Sequence, residues 1–247
     1  MKIENQQSTL AVRPPEYFPG LPFMALFREV DRFVLADPFE YSRRSRQNRA
    51  RLRTPQGAQW ITVPVKGGQT HRPIAEVEID NRSADESTGG AHWRSRHWRA
   101  LQYDYRSAPY FEPFEPRLAP FFETEWQKLG PCACASVRLL AQGAGLETTI
   151  TRATALPGAP ATLPAILRAL EDEPEALLAP PDAAAHDAAL LDEADGIDCE
   201  VRVARFDAPR YHQHFDGFVA GLSFADLLFE YGPEARALLR EGLNVEG

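Results

Sequence analysis

The sequence predicts an α/β fold, with a parallel or mixed sheet, flanking helices, a βαβ unit at the N-terminus and a β-hairpin insertion. The first observation is that strand-like residues 9–12 and 31–36 flank a helical pattern of apolar side chains from Leu21 to Val30. Strand, helix and strand within about 30 residues are typical of a βαβ unit, whose two strands run parallel. The second observation is that short strand and helix patterns alternate again towards the C-terminus.

Between these two parts, the sequence predicts a hairpin and several helices. Residues 49–54 and 59–65 are strand-like and are joined by the turn sequence Pro55-Gln56-Gly57. Residues 74–80 alternate apolar and acidic side chains, which is typical of a half-exposed edge strand. Helices are predicted over 91–106, from Pro116 onwards and over 132–144.

The C-terminal patterns are shorter and follow a linker rich in Pro, Gly and Ala at 156–162. We expect an N-terminal α/β region over 1–155 and a C-terminal α/β region over 156–247, packed together as one integrated fold. Strands are predicted at 147–151, 176–178 and 199–206, and helices at 163–170, 182–194 and 222–243, the last interrupted at Gly232-Pro233.

Composition predicts a soluble, cytoplasmic protein. The chain is 44% hydrophobic and 25% charged, which is ordinary for a globular domain. No apolar run reaches the roughly 18 residues of a membrane span, and the N-terminus lacks the apolar core of a secretion signal. The three cysteines, Cys132, Cys134 and Cys199, suit buried thiols better than a disulfide framework or a zinc site. We therefore expect no membrane insertion, no metal and no cofactor.

Charge is distributed unevenly along the chain. Residues 1–110 hold 17 Lys/Arg against 12 Asp/Glu, whereas the remainder holds 10 against 23. A basic first half in an acidic protein favours an anionic small-molecule ligand on that half. The net charge of −8 and the lack of any nucleic-acid module argue against a nucleic-acid partner.

The basic segment, Arg43–Arg53, concentrates that positive charge, with six arginines in eleven residues. Guanidinium groups bind phosphate and carboxylate bidentately, so the segment suits an anion site; the alternative is a solvated basic edge strand. Gln47 and Asn48 add amide donors to it. We expect Arg44 and Arg49 to face the ligand, and Arg46, Arg51 and Arg53 to point outward along the strand or to pair with acidic neighbours.

The βαβ unit indicates where a ligand would bind. In parallel sheets, ligands lie beyond the carboxyl ends of the strands. This rule places Arg13, Glu16 and Tyr17 after the first strand, and Asp37 and Tyr41 after the second, around one crevice.

His97 is the candidate general base. It lies on the predicted helix 91–106, among arginines that disfavour imidazolium, and a neutral imidazole can take a proton from an amine or hydroxyl. The alternative is a core histidine held by a backbone carbonyl. Asp37 follows an apolar strand, where a functional carboxylate is common, although it also suits a turn before Pro38.

Four blocks of sequence, in the same order, resemble the WbqC-like family of bacterial proteins. The first is the run from Arg13 to Gly20, where the family reads His-Gln-Pro-x-Tyr-x-Pro-Trp. The second holds Asp37, Tyr41, the run from Arg44 to Arg49, Trp60 and Val63-Pro64; the third holds Trp93-Arg94, His97, Tyr105 and 108–111; the fourth holds Tyr211, Gln213, 222–223, 226–229 and Gly232-Pro233.

The resemblance implies a transferase that moves an acyl, aminoacyl or sugar group in surface-polysaccharide or natural-product biosynthesis. Its expected partner is a small anionic substrate: a nucleotide sugar, an acyl-CoA or a carrier-protein thioester. His97 and Asp37 are the expected catalytic residues, and the expected substrate-binding residues are Arg13, Tyr17, Tyr41, Arg44, Gln47, Asn48, Arg49, Trp93 and Gln213.

Two departures from the family pattern leave other functions open. Arg13 and Pro14 replace the family's His-Gln pair, and residues 179–183 read Ala-Pro-Pro-Asp-Ala where relatives carry a Ser-Gly-rich turn and a Tyr. One alternative is a non-catalytic protein that binds an anionic ligand or acts as a scaffold. The other is a nucleotidyltransferase-like enzyme, since the first βαβ unit resembles those folds.

Overall fold

The computed structural model describes residues 8–82, 93–194 and 196–246. Eight strands and eight α-helices are described there. The strands are β1 (Thr9–Arg13), β2 (Arg32–Leu35), β3 (Arg49–Thr54), β4 (Gly57–Thr62), β5 (Thr149–Arg152), β6 (Ala176–Ala179), β7 (Glu200–Phe206) and β8 (Leu243–Glu246). The helices are α1 (Leu21–Ala25), α2 (Trp93–Tyr105), α3 (Phe111–Glu123), α4 (Leu129–Gly143), α5 (Leu163–Ala169), α6 (Pro181–Asp192), α7 (Phe224–Tyr231) and α8 (Ala235–Glu241).

Six of these strands form one mixed sheet in the order β5-β2-β1-β6-β7-β8. The first five are parallel, and β8 pairs antiparallel with β7. Strands β3 and β4 form a separate antiparallel hairpin. The predicted α/β class, the parallel N-terminal strand pair and the inserted hairpin are therefore confirmed. Three strands of the first predicted region, β5, β2 and β1, form one half of the mixed sheet, and β6, β7 and β8 of the second region form the other half. The division at residue 155 stays a prediction.

The sheet is buried on both faces because its central strands are apolar at successive positions. In β1, Ala11 packs into the larger core cluster with α1, α3, α4 and α7, while Leu10 and Val12 pack into a second cluster with α5 and α6. Side chains alternate between the two faces of a strand, so consecutive apolar residues supply both cores. The result is a helix–sheet–helix sandwich with β1 at its centre.

Three local predictions were wrong. Residues 74–80 do not form a strand: Ile74–Glu76 is a 3-10 turn, and only isolated bridges at Glu78 and Ile79 follow. Helix α3 begins at Phe111, five residues before the expected start, so Pro116 lies inside the helix and not in its first turn. The C-terminal helical pattern ends at Glu241, and the residues after it add β8 to the edge of the sheet.

Residues 207–222 connect β7 to α7 without a helix or strand, and we call this segment the strap. None of the helices in the described ranges has the length and apolar character needed to cross a membrane.

Candidate functional site

The order in which the chain adds strands to the sheet reverses between β1 and β6. The chain moves from β1 to β2 on one side and from β6 to β7 on the other, although β1 and β6 are parallel neighbours. Loops that leave two such strands separate and open a crevice beyond their carboxyl ends, where ligands bind in doubly wound sheets. The loop after β1 begins at Arg13, and the chain after β6 enters α6 at Pro181. The crevice thus pairs the β1 loop with α6.

Charged groups from both sides meet at this crevice. Glu16 is partly buried, and burial raises its pKa; a hydrogen bond from Gly20 N–H and the charges of Arg46 and Arg13 act in the opposite direction. Burial likewise raises the pKa of Asp187 on α6, while Arg13 lowers it. Two arginines thus lie among carboxylates that are poorly solvated. This combination can bind a ligand of either charge and can accept a proton.

Three arginines of the basic segment bind the strap through its backbone. Arg53 donates to the carbonyls of 215–217, with Nη2 2.6 Å from Asp216 O, and also to the carbonyls of Thr54 and Gly57. Arg51 Nη1 lies 2.9 Å from Ala220 O, and Arg46 Nη2 lies 2.8 Å from Gly221 O. The segment therefore anchors a distant stretch of chain.

The outward orientation predicted for Arg53 was wrong. Its side chain is 1% exposed, and its described partners are carbonyl oxygens instead of carboxylates. The strap covers this end of the hairpin, so the face of β3 that the alternating pattern assigned to solvent is interior.

The other predicted contacts of the basic segment order the segment itself. Arg49 donates to Ser45 O at 3.1 Å and to Arg44 O at 2.6 Å, and its guanidinium stacks 4.6 Å from the Trp60 ring centroid. Arg44 is exposed. Whether either arginine binds ligand stays a prediction.

Three buried polar side chains surround this turn. The Gln47 carboxamide accepts from Ser42 N–H at 2.8 Å and donates to Glu40 O, and Asn48 Nδ2 donates to Val63 O at 2.9 Å. Asn48 Oδ1 and the Tyr41 hydroxyl are buried without a hydrogen-bond partner among the described residues. Gln47 and Asn48 therefore close the turn that carries the arginines.

Tyr17, Trp93 and His97 come together in the core beside the hairpin. The Tyr17 hydroxyl lies 2.9 Å from His97 Nδ1, and Trp93 packs edge-on against His97 at 5.3 Å. Burial, and then Arg96, lower the pKa of His97 to about 3, although a hydrogen bond to the Thr62 carbonyl acts in the opposite direction. The imidazole is thus neutral, chiefly because it is desolvated, with arginine the smaller cause.

His97 also lines a cleft of about 770 Å³, the volume bounded by described residues. A cleft of this size falls in the range of pockets for small-molecule ligands. Trp60, 47% exposed, and Arg96 line it as well. An aromatic face and a cation there could hold a planar or anionic group.

Asp37 lies in a different network from His97. Its carboxylate accepts two hydrogen bonds from Arg152, at 2.9 and 2.6 Å, and two more from Thr154. No contact joins Asp37 to His97 among the described residues. This carboxylate joins the ends of β2 and β5, with Oδ2 accepting three of the hydrogen bonds and Oδ1 accepting one.

Gln213 fixes the strap. Its carboxamide both donates to Val219 O and accepts from Val219 N–H, each at 2.8 Å. Such a two-sided contact closes a loop in the way a strand pair would. The substrate contact predicted for Gln213 stays a prediction.

A smaller pocket of about 150 Å³ lies under the strap, next to the crevice. Arg46 and Glu16 border it, together with apolar side chains of α1 and the strap. Sequence patterns gave Glu16 little weight and assigned Arg46 to solvent, because no local signal shows that residues 16, 46 and 218–222 converge. Its lining includes Glu16, Arg46, Leu21, Phe23, Tyr211 and Phe218.

The described ranges contain no reactive cysteine centre and no cluster of metal ligands. Cys132 and Cys134 are buried thiols, and burial raises the pKa of Cys134 to about 12. No group of three or more His, Cys, Asp or Glu side chains comes together there as metal ligands.

Comparisons with known proteins give one family and one relative. Residues 14–238 match the sequence profile of the WbqC-like protein family. The chain is also similar to the Mycobacterium tuberculosis (strain ATCC 25618 / H37Rv) protein named Uncharacterized protein Rv1507c, with 29% identity over 237 residues, 94% of this chain and 97% of that protein. No solved structure matches the chain.

Proposed function

The chain belongs to the WbqC-like protein family, and from that premise we propose that it is a group-transfer enzyme. It would move an acyl, aminoacyl or sugar group from an activated anionic donor to a small acceptor, within surface-polysaccharide or natural-product biosynthesis in the cytoplasm. The observation that carries the proposal is Glu16, a poorly solvated carboxylate between two arginines at the point where the strand order of the sheet reverses.

Glu16 suits the role of general base better than His97. A base works best when its pKa lies near the working pH, and burial raises the pKa of Glu16 towards that range. The pKa of His97, about 3, leaves its imidazole with little affinity for a proton at neutral pH. We therefore assign His97 to positioning Tyr17 and the hairpin, and proton transfer to Glu16.

The proposed step needs no covalent enzyme intermediate. The acceptor nitrogen or oxygen forms a bond to the transferred carbon, and the bond to the donor leaving group breaks with its electron pair. The acceptor proton passes to Glu16. Arg13, whose side chain has no hydrogen bond to any described residue, would hold the phosphate or carboxylate of the donor.

The 770 Å³ cleft offers space for the rest of the donor. The Arg46 guanidinium lies 5.5 Å from the Trp60 ring centroid and also borders the small pocket, so it stands between the two spaces. A nucleotide or pantetheine portion would stack on exposed Trp60. The reacting end would then point towards Glu16.

The test is transfer by purified protein. Nucleotide sugars, acyl-CoAs and carrier-protein thioesters are incubated with pooled amines and alcohols, and products are detected by mass spectrometry. We expect Glu16→Gln to lower kcat by about a hundredfold or more while the melting temperature is kept. Glu29→Gln, on an exposed glutamate of the same half, is the matched control.

The pH dependence has a defined sign. The base must be deprotonated, so kcat/KM falls as pH falls through the pKa of Glu16, which lies above the ordinary value of 4.5. Full turnover by Glu16→Gln, or an unchanged acid limb in that variant, contradicts the assignment. Binding of donors without turnover in any mixture would favour a non-catalytic binding protein instead.

A nucleotidyltransferase is the second candidate, favoured by the strand order. Five parallel strands in the order β5-β2-β1-β6-β7 reproduce the arrangement in which doubly wound sheets bind nucleotides. Such an enzyme would release pyrophosphate from a nucleoside triphosphate. An absence of pyrophosphate with all four nucleotides removes this candidate.

A further inference from the structure

The small pocket under the strap is too small for any of the proposed donors. Its volume is about 150 Å³, and liquid water occupies roughly 30 Å³ per molecule, so it holds a ligand of about five to eight non-hydrogen atoms. Apolar side chains of Leu21 and Phe23 form one wall, and Phe218 and Tyr211, packed edge-on at 5.7 Å, form another. Its shape and size suit a short aliphatic group.

Two opposite charges border this pocket without touching each other. Glu16 and Arg46 attract each other electrostatically, yet they form no direct ion pair among the described residues. A buried pair of opposite charges normally closes to direct contact, because separation leaves both poorly solvated. Both residues line the pocket.

Each of the two charged groups has a polar atom without a hydrogen-bond partner among the described residues. Arg46 Nη2 donates to Gly221 O, whereas Nη1 is buried and has no partner among the described residues. Glu16 Oε2 accepts from Gly20 N–H at 3.2 Å, and no described donor reaches Oε1. A ligand with an acceptor at one end and a donor at the other satisfies both.

Gly20 packs closely against the Arg46 guanidinium. A Cβ at this position would stand 3.1 Å from Arg46 Nη1. The backbone of Gly20 is extended, with φ −78° and ψ 171°, so alanine is allowed there on conformational grounds. A methyl group at residue 20 would therefore press on the Arg46 guanidinium and make it shift, without straining the backbone of residue 20.

We infer that this pocket binds a short aliphatic α-amino acid as a zwitterion, with its carboxylate on Arg46 and its ammonium on Glu16. Each ligand charge compensates one protein charge, whereas a singly charged ligand leaves the other buried charge uncompensated. The inference depends on the proposed function only for the statement that this amino acid is the acceptor. Glu16 would then touch the ammonium and take one of its protons, so that the neutral amine attacks the transferred carbon. The second proton of the amine leaves with the donor leaving group.

Binding without donor tests the pocket independently of turnover. Calorimetric titrations of the full chain use L-alanine, L-valine and L-leucine, together with 3-methylbutanoate and isobutylamine, which are valine without its ammonium and without its carboxylate. We expect one of the amino acids to bind, and each singly charged analogue to bind about tenfold more weakly or worse.

Two variants locate the site. Glu16→Gln removes the charge facing the ammonium, and Gly20→Ala presses on the Arg46 guanidinium; each is expected to weaken amino-acid binding about tenfold or more. Glu16→Gln is expected to leave the contact of Arg46 with Gly221 O in place, whereas Gly20→Ala acts by shifting the Arg46 guanidinium. Arg43→Gln, at an exposed arginine of the basic segment, is the control and keeps the wild-type affinity.

The inference is overturned if a singly charged analogue binds as tightly as the amino acids, or if both variants keep the wild-type affinity. It is also overturned if none of the three amino acids binds at about 10 mM. Amino-acid binding with no transfer to any acceptor supports the pocket and contradicts the proposed function. If the protein binds no amino acid but transfers a group to another acceptor, the proposed function is supported and the amino-acid pocket is contradicted.

Discussion

Arg53 shows how the surroundings of a residue change what its charge does. The spacing of arginines in Arg43–Arg53 predicted anion binding, and alternation along β3 predicted that residue 53 would point outward. Instead, the guanidinium is buried and donates to five backbone carbonyls, three of them in the strap. Carbonyl oxygens carry partial negative charge, so several of them stabilise a buried cation without a carboxylate.

Arg53→Met should therefore destabilise the fold strongly. The substitution keeps an apolar stem of similar length but leaves buried carbonyls without donors, and we expect the free energy of unfolding to fall by about 3 kcal/mol or more. Urea unfolding measures this change. Arg43→Met, at an exposed arginine, is the control and should change stability by about 0.5 kcal/mol or less. A loss below about 1 kcal/mol for Arg53→Met would show that the strap carbonyls find other donors.

At the scale of elements, the 3-10 turn at Ile74–Glu76 shows tertiary contacts overriding a local pattern. Its alternating side chains suit a strand, but Pro73 cannot donate to a ladder, and Ala75 N–H donates instead to Asp37 O at 2.8 Å. Helix α4 packs directly on this turn at Gly130. A Cβ at Gly130 would lie 2.6 Å from Ala75 Cα. The absence of a side chain at residue 130 permits this close approach.

Gly130→Ala should destabilise the protein, although alanine favours helices by about 1 kcal/mol over glycine. The clash is between two backbones, so α4 must move away from the turn, and we expect a net loss of about 1–2 kcal/mol in thermal unfolding. Gly67→Ala, where a Cβ would meet nothing within 4 Å, is the control and should be nearly neutral. A stabilised Gly130→Ala protein would mean that the turn yields easily.

At the scale of the whole molecule, Asp226 connects elements that are far apart in sequence. The buried carboxylate on α7 accepts from Tyr105 of α2 at 2.9 Å and from Tyr211 of the strap at 2.7 Å. Tyr105 in turn accepts from the backbone N–H of Arg53 at 2.8 Å. Burial raises the pKa of Asp226 to about 6 in spite of these hydrogen bonds.

This pKa makes global stability depend on pH. The pKa of an ordinary aspartate is 3.8, so the folded state holds the proton more tightly, and the contribution present below pH 3.8 is lost as pH rises through about 6. The loss corresponds to about 3 kcal/mol. The lowered pKa of His97 acts in the opposite direction, because stability is lost as pH falls below about 6.5, and it does so equally in both proteins. We therefore expect Asp226→Asn to be more stable at pH 7 relative to pH 4 than wild type is, by about this amount.

Urea unfolding at both pH values measures the difference. Asp192→Asn, at an exposed aspartate at the end of α6, is the control and should keep the wild-type dependence on pH. Burial also raises the pKa of Glu230, one turn after Asp226 on α7, and this group acts in the same direction. The same dependence on pH in wild type and Asp226→Asn would assign the effect to Glu230.

The candidate site was only partly predictable because contacts between distant parts of the chain decide it, as they decide the local elements. Arg13 and Glu16 follow from one rule about the carboxyl ends of strands, and Tyr17, Trp93 and His97 do converge. The partners Arg46, Asp187 and Phe218 do not follow, because their approach depends on which strand lies beside β1 and on the path of the strap.

By itself, the sequence determined the α/β class, the N-terminal parallel pair, the hairpin and the resemblance to the WbqC-like family, since periodicity and motif order are local properties of the chain. Only the tertiary structure decided that β6 lies next to β1, and that arginines of the basic segment bind the strap. Those contacts join residues as far apart as Arg46 and Gly221, 175 positions along the chain. In each contact, a hydrogen bond between a guanidinium and a carbonyl offsets the cost of desolvating both groups. The spacing of residues along the chain does not encode which groups meet.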